Sequence, residues 1–269
     1  MAITALHSAA SGLRALSTQI DVVSNNLANA ETTAFKSGRV NFQDLVYLTL
    51  KQPGVTSAAG DVAPSALFVG LGTRADNTQI DLTQGSLQST NGQLDVAIRG
   101  NGFFAVKMMP SFGDGIGYTR AGNFFVNSKN ELVVGIGEGY RLVPPISIPS
   151  GVTDITIGQD GTIQVLQPGT QTKRTIGQFQ LTQFVNPQGL QLLGGGIYQQ
   201  TDASGPPITS QPGQQGAGLI QQGFLEESNV DPVTELVTLI KTQRAFEMNS
   251  QSIQTADKVL QTVANLGRG

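Results

Sequence analysis

Apolar residues recur every seven positions near both ends of this chain and nowhere between. Leu6, Leu13, Ile20 and Leu27 hold one heptad position, and Ala9, Leu16, Val23 and Ala30 hold the position three residues later. That spacing predicts an α-helix with a coiled-coil seam sustained over four heptads. Near the other end Leu239, Phe246, Ile253 and Leu260 repeat at the same interval. Ala256 and Val263 join them three residues on, but the polar Thr242 and Asn249 hold the earlier places. The second seam is therefore weaker in its first half. Asp231 can cap the free N–H groups of a first helical turn, and Pro232 fits where the missing donor is tolerated. The second helix is expected to start at Pro232.

The other faces of the first helix qualify this picture. Up to Ala30 its only full charges are Arg14 and Asp21. A two-stranded coil alone in water carries Glu and Lys beside its seam. Here those places hold Ser8, Ser11, Ser17, Thr18, Ser24 and Asn25, while Ala10, Gly12 and Ala15 permit close backbone approach. This is the surface of a helix packed on several sides. An ordinary buried helix of one globular domain would also satisfy the periodicity.

From about Gly70 to Phe224 helical periodicity gives way to short alternating runs. Leu94–Ile98, Asp154–Ile157 and Thr162–Val165 alternate faces as half-buried strands do, and Phe179, Leu181 and Phe184 suggest another. Asn91-Gly92, Asn101-Gly102, Asp114-Gly115 and Asp160-Gly161 supply turn chemistry between them. Leu45 to Ala66, with Pro53-Gly54, Ser57, Gly60 and Pro64, connects the first helix to this body, and its Val46, Leu48 and Leu50 could form an edge strand. The expected fold is α+β: an all-β central domain flanked by N- and C-terminal helices that pair as a coiled-coil layer. Residues 1–44 with 226–269 would form the helical domain, 45–69 a linker and 70–225 the β domain.

With 269 residues and 39% hydrophobic content the chain can bury a substantial core. A net charge of −3 with scattered Lys and Arg offers no basic field for phosphates, so nucleic acid is not an expected partner. No run approaches the roughly 18 apolar residues that cross a bilayer, and no Lys- or Arg-led apolar block with a cleavage site opens the chain. No membrane insertion and no cleaved signal peptide are expected. A membrane-surface helix would carry Lys and Arg on its polar face, where this one carries Ser and Asn.

Chemistry is sparsely represented. Cys is absent, and the sole imidazole is His7, on a helix beside Leu6 and Ala9 with no triad motif near it. Gly135-Ile136-Gly137-Glu138-Gly139 lacks the following helix that binds a phosphate and reads as a turn. Asp154, Asp160, Glu226 and Glu227 could in principle pair as glycosidase carboxylates, yet nothing selects them, and Glu226 and Glu227 read as a solvated connection before the second helix. No metal-ligand spacing appears. The expectation is a protein without catalytic, cofactor-binding or metal-binding residues.

Three sets of residues carry a resemblance. Ser24-Asn25-Asn26-Leu27-Ala28-Asn29, then Thr32 or Thr33 and Phe35-Lys36, resembles the N-terminal motif of the bacterial flagellar rod and hook proteins. Gly100–Val106 and Tyr118–Phe124 are similar to segments of that family's β domain. Glu227–Asp231, Glu235-Leu236-Val237 and Gln243–Asn249 follow in the family's order. Ala34 departs from the pattern, standing where the family usually has Gly before Phe-Lys. If that position requires a positive φ, Ala34 costs about 1 kcal/mol. Asn130-Glu131 departs where relatives place Gly, and Asn tolerates the same turn.

The resemblance implies a structural subunit that polymerises helically, head to tail, around a channel, with the terminal helices inside and the β domain outside. The chain's shortness and Gln52-Pro53-Gly54, in a stretch the family associates with a stiff straight shaft, favour the distal rod over the flexible hook. Implied partners are further copies of the chain, proximal rod and hook subunits and the surrounding basal-body ring proteins. Implied location is the periplasmic rod, reached by type III export without cleavage. A hook or proximal rod subunit, or a self-contained extracellular β-rich binding domain, remains open at this point.

Overall fold

A computed structural model describes residues 2–52, 65–108, 115–135, 139–169 and 172–266. Pro53, Gly54, Ser57, Gly60, Pro64, Asp114 and Ile136–Glu138, together with the side chain of Val263, lie outside the described residues. The chain forms two units, one from Met1–Ala28, Gly38–Ile80 and Asp231–Gly269 and the other from Asn29–Ser37 and Asp81–Val230. β-rich structure between N- and C-terminal helices makes the fold α+β.

The first unit contains α1 (Ala2–Ala28), β1 (Gly38–Asp44), β2 (Tyr47–Lys51), β3 (Leu67–Gly70), β4 (Thr73–Ile80) and α2 (Pro232–Leu266). β1 pairs antiparallel with β4, from Gly38 opposite Ile80 to Asp44 opposite Thr73, and β2 pairs with β3. Leu45 N–H donates to the Gly72 carbonyl and Leu71 N–H to the Val46 carbonyl, so the two ladders join into one long two-stranded ribbon. Val46, Leu48 and Leu50 thus lie at or within β2, all exposed. α2 begins where the capping residues placed it. Asp231 Oδ1 accepts the Val233 N–H at 3.1 Å and Oδ2 the Thr234 hydroxyl at 2.6 Å, and those bonds hold the Asp231 carboxyl below its usual range.

The two helices lie against each other within this unit, antiparallel. Asn26 meets Glu235 near one end, and Gly12 faces Asn249 two heptads further along. A β-carbon on Gly12 would sit 3.1 Å from the Asn249 amide, so the small residues of α1 set how closely the helices approach.

The second unit is a body of short strands. Its first eight are β5 (Leu87–Ser89), β6 (Val96–Arg99), β7 (Phe104–Lys107), β8 (Ile116–Thr119), β9 (Phe124–Val126), β10 (Leu132–Val134), β11 (Arg141–Val143) and β12 (Asp154–Ile157). There follow β13 (Thr162–Leu166), β14 (Arg174–Gln178), β15 (Leu181–Gln183), β16 (Gln191–Gly194), β17 (Ile197–Gln199), β18 (Ile208–Ser210), β19 (Leu219–Gln222) and β20 (Phe224–Glu226). The largest sheet runs β16-β17-β8-β7-β11-β10-β9, beside a three-stranded β12-β13-β14 and the pairs β15-β18, β19-β6 and β20-β5. Val96, Ile98, Phe104, Phe124, Ile163, Phe179, Leu181 and Ile220 fill its core. Phe104, Phe124 and Phe179 meet with centroids 5.1 to 5.6 Å apart.

The alternation read from Leu94 to Ile98 becomes strand only from Val96, since Asp95 makes an isolated bridge to Asn123. Asn91 and Asn130 take positive φ as turn residues do. Val134 N–H donates to the Tyr140 carbonyl beside the β10–β11 pairing; the turn read from the glycine-rich run falls on Ile136–Glu138, outside the described residues. Gly122, in the Tyr118–Phe124 motif, is needed for close approach: its carbonyl accepts the Val96 N–H, and a β-carbon there would overlap the Val96 carbonyl.

Candidate assembly surface and a buried ion clasp

An assembling subunit needs apolar surface that its own fold leaves uncovered, so the faces of the terminal helices come first. Among the described side chains of α1 the buried ones are Gly12, Ala15, Val23 and Asn26. Leu6, Leu13, Ile20 and Leu27 are only half-buried. At 100° per residue Leu13 and Ile20 stand about 140–160° around the helix from Ala15. From the buried Val23 they stand only about 60–80° away, so they border the row that the unit itself covers.

On α2 the inward row is Glu235, Thr242 and Asn249, with Thr242 only 4% exposed. Leu239, Ile253 and Leu260 flank it half-buried, and Phe246 is 36% exposed. Within the chain, then, the row of small and polar residues on α1 meets the polar half of the α2 seam. α2 also carries Val233, Leu236, Val237 and Ile240 on its opposite side, all exposed. Surface this apolar is normally covered in a larger assembly.

The Ser24–Asn29 motif has one buried member. Asn26 is 2% exposed; its Nδ2 donates to the Gly38 carbonyl at 2.8 Å, and its Oδ1 accepts the Gly38 N–H at 2.9 Å. Nδ2 also reaches Glu235 at 3.2 Å. One amide therefore ties the end of α1 to the start of β1 and to the first turn of α2. Ser24, Asn25 and Ala28 are exposed, and Leu27 and Asn29 half-buried.

In the second unit three charged side chains from distant positions meet in the interior. Glu226 is 1% exposed. Its Oε1 accepts Lys36 Nζ at 2.6 Å and the Gly85 N–H at 3.0 Å, and its Oε2 accepts Arg120 Nε at 2.8 Å. Lys36 also donates to the Thr83 carbonyl at 2.6 Å. Arg120 donates to the carbonyls of Gly102 and Gly100 at 3.0 Å each, and its guanidinium lies over the Phe103 ring. Nearly every donor and acceptor of the three is used, which is the condition under which buried charge is tolerated. Burial pushes the Lys36 amine below its ordinary value, against the opposing pull of the Glu226 carboxylate.

This overturns the reading of Glu226 and Glu227 as a solvated connection: Glu227 is exposed, but Glu226 is the centre of a clasp. No sequence signal pointed to it, because its partners lie 190 and 106 residues away. Asn229 reinforces the same junction. Its Oδ1 accepts the Ser37 N–H at 2.8 Å and its Nδ2 donates to the Asp81 carbonyl at 2.8 Å. Ala34, between these anchors, donates its N–H to the Glu226 carbonyl at 2.8 Å and takes φ 57°. The positive φ that a glycine would relieve is real.

His7 is exposed, with Nδ1 hydrogen-bonded to the Leu71 carbonyl at 3.1 Å. Among the described residues no group of three or more His, Cys, Asp and Glu side chains could hold a metal, and no helix is long and apolar enough to cross a membrane.

The chain is similar to known proteins along its length. Residues 6–36 match the model described as flagella basal body rod protein, residues 97–165 the flagellar hook protein FlgE/F/G D1 domain, and residues 221–266 the flagellar basal body rod FlgEFG protein C-terminal model. Lys36, Arg120 and Glu226 fall one in each matched stretch. Among curated proteins, the flagellar basal-body rod protein FlgG of Buchnera aphidicola subsp. Acyrthosiphon pisum is 43% identical over 95% of this chain and 96% of its own length. The FlgG protein of Caulobacter vibrioides is 41% identical over 97% of this chain and 98% of its own. That of Borreliella burgdorferi is 40% identical over 98% of each.

Proposed function

We propose, from the premise that this chain belongs to the flagellar basal-body rod proteins FlgG, that copies of it stack helically and head to tail through their terminal helices. The chain is a structural subunit of the distal rod and not an enzyme. Similarity to FlgG over nearly the whole length carries that identification, and it leaves the hook, proximal-rod and self-contained binding-domain readings without comparable support.

The stacking reading rests on the helix faces. Leu6, Leu13, Ile20 and Leu27 form a row that is only half-buried within the chain, and α2 has exposed valines, leucine and isoleucine of its own. Burying such rows between copies is favourable in proportion to area, at roughly 25 cal/mol per Å². A heterologous contact of this kind repeats without closing, which builds a shaft instead of a ring. Seam residues Leu239, Phe246, Ile253 and Leu260 would meet α1 residues of neighbouring copies in the same layer. The β unit would form the outer surface, facing the basal-body rings, and proximal rod and hook subunits would continue the shaft at its two ends. Periplasmic assembly after export without cleavage belongs to the same reading.

Electron microscopy of the purified full chain at rising concentration tests this. The expected result is hollow filaments above a critical concentration. A chain that sediments as a monomer at every concentration overturns it.

A further inference from the structure

In the first unit, α1 and the β1–β4 ladder border a cleft of about 390 Å³, walled by His7, Ser11, Arg14 and Thr18 from α1 and by Thr73 and Arg74 from β4. Its floor is already satisfied, since Ser11 Oγ donates to the Ser8 carbonyl and accepts the Thr73 N–H. The two guanidinium groups are a different matter. Arg74 is held by Gln43 Oε1 at 2.8 Å and by an exposed Asp76 at 3.7 Å. Among the described residues Arg14 makes no ion pair, and no carboxylate lines the cleft. A concave site in which Arg14 has no counter-ion and Arg74 only a long, exposed one favours an incoming carboxylate, which a guanidinium fork can grip in two places.

α2 carries the complement. Its exposed row of Val233, Leu236, Val237 and Ile240 continues, two turns beyond Ile240, to Glu247. Glu247 is exposed and, among the described residues, makes no ion pair. It stands about 160° around the helix from Asn249, the residue that faces Gly12. Its own α1 is therefore out of reach. When a neighbouring copy covers the apolar row, Glu247 at its margin loses water and needs a cation.

We propose that the Arg14–Arg74 cleft receives Glu247 from a second copy of the chain. This rests on the polymer reading above and adds to it the element that sets register. A seam repeating every seven residues can slip by a heptad with small loss of apolar contact, whereas one charged pair in one cleft fits at a single offset.

The test is a charge swap in the full chain, with polymer yield read by sedimentation and electron microscopy. Arg14→Glu alone and Glu247→Arg alone are each expected to cut polymer yield about tenfold. The double variant R14E/E247R is expected to recover most of it. Both positions are exposed, and thermal melting of each monomer checks that the fold is kept; the neutral pair Arg14→Gln and Glu247→Gln gives the same comparison should a reversal misfold. Singles that assemble like the unaltered chain overturn the cleft pairing, and so does a double variant no better than the singles. An unaltered chain that never polymerises overturns the polymer reading, and this proposal with it.

Discussion

At Ala34 an L-residue occupies a left-handed φ of 57° at a position 2% exposed, pinned by a hydrogen bond to the Glu226 carbonyl. Replacing it by glycine removes the strain of the β-carbon in that region, which outweighs the extra freedom the unfolded chain gains. Ala34→Gly is expected to stabilise the second unit by about 0.5–1 kcal/mol in a denaturant titration, and Ala34→Val to destabilise it. Two buried groups nearby give opposite pH dependences. Lys36 has its amine lowered by burial, so between its folded value and 10.5 the unfolded chain holds the proton more tightly and stability rises with pH. Burial pushes the Tyr198 hydroxyl up to about 12 from 10.0. From about pH 10 upward the folded state keeps a proton that the unfolded chain releases, and stability falls. Urea midpoints across pH 8–12 should therefore rise and then fall. Lys36→Met should flatten the rise and cost about 3 kcal/mol near neutral pH by breaking the buried pair, while Tyr198→Phe should remove the fall. The Ala34 strain was legible in the sequence because a local motif marks it; the clasp was not, because desolvation and pairing among positions 36, 120 and 226 leave no local pattern.

Among the elements, α1 grades its surface: Gly12, Ala15, Val23 and Asn26 are buried, and the larger Leu13 and Ile20 beside them are half-buried. Leu13→Asp is therefore expected to leave the β unit folded while abolishing filaments in electron micrographs, since stacking removes the water that still reaches that half-buried row. Unimpaired filaments would remove Leu13 from the contact. Helices were readable from the sequence because their signals lie within a turn or two: the heptad rows, and Asp231 with Pro232 at the start of α2. The strands at Asp154–Ile157 and Thr162–Leu166 were readable for the same reason, being a tight hairpin of alternating residues. Pairings such as β19 with β6 join segments more than a hundred residues apart. Alternation fixes which face a strand shows, and it leaves its partner open.

For the whole molecule, trypsin offers a simple reading of where the chain is guarded. Arg14, Arg39, Lys241, Arg244 and Lys258 are exposed on the first unit, whereas Lys36 and Arg120 are 4% exposed in the second. Brief digestion of dilute subunit, followed by mass spectrometry, should cut at the first group and spare Lys36 and Arg120. Incorporation into filaments should then slow cutting at Arg14 and Arg244. Cleavage at Lys36 as fast as at Lys241 would mean the clasp is open in solution.

The clasp also imposes an order in time. Its three members come from the beginning, middle and near-end of the chain, with Lys36 and Glu226 separated by 190 positions. Closing a loop of that length is slow and gains nothing until the last partner arrives. A chain emerging through a narrow passage, from either end, cannot complete its β unit until almost all of it has passed. A subunit passed through such a channel would stay threadable until residues 36 to 226 were all through.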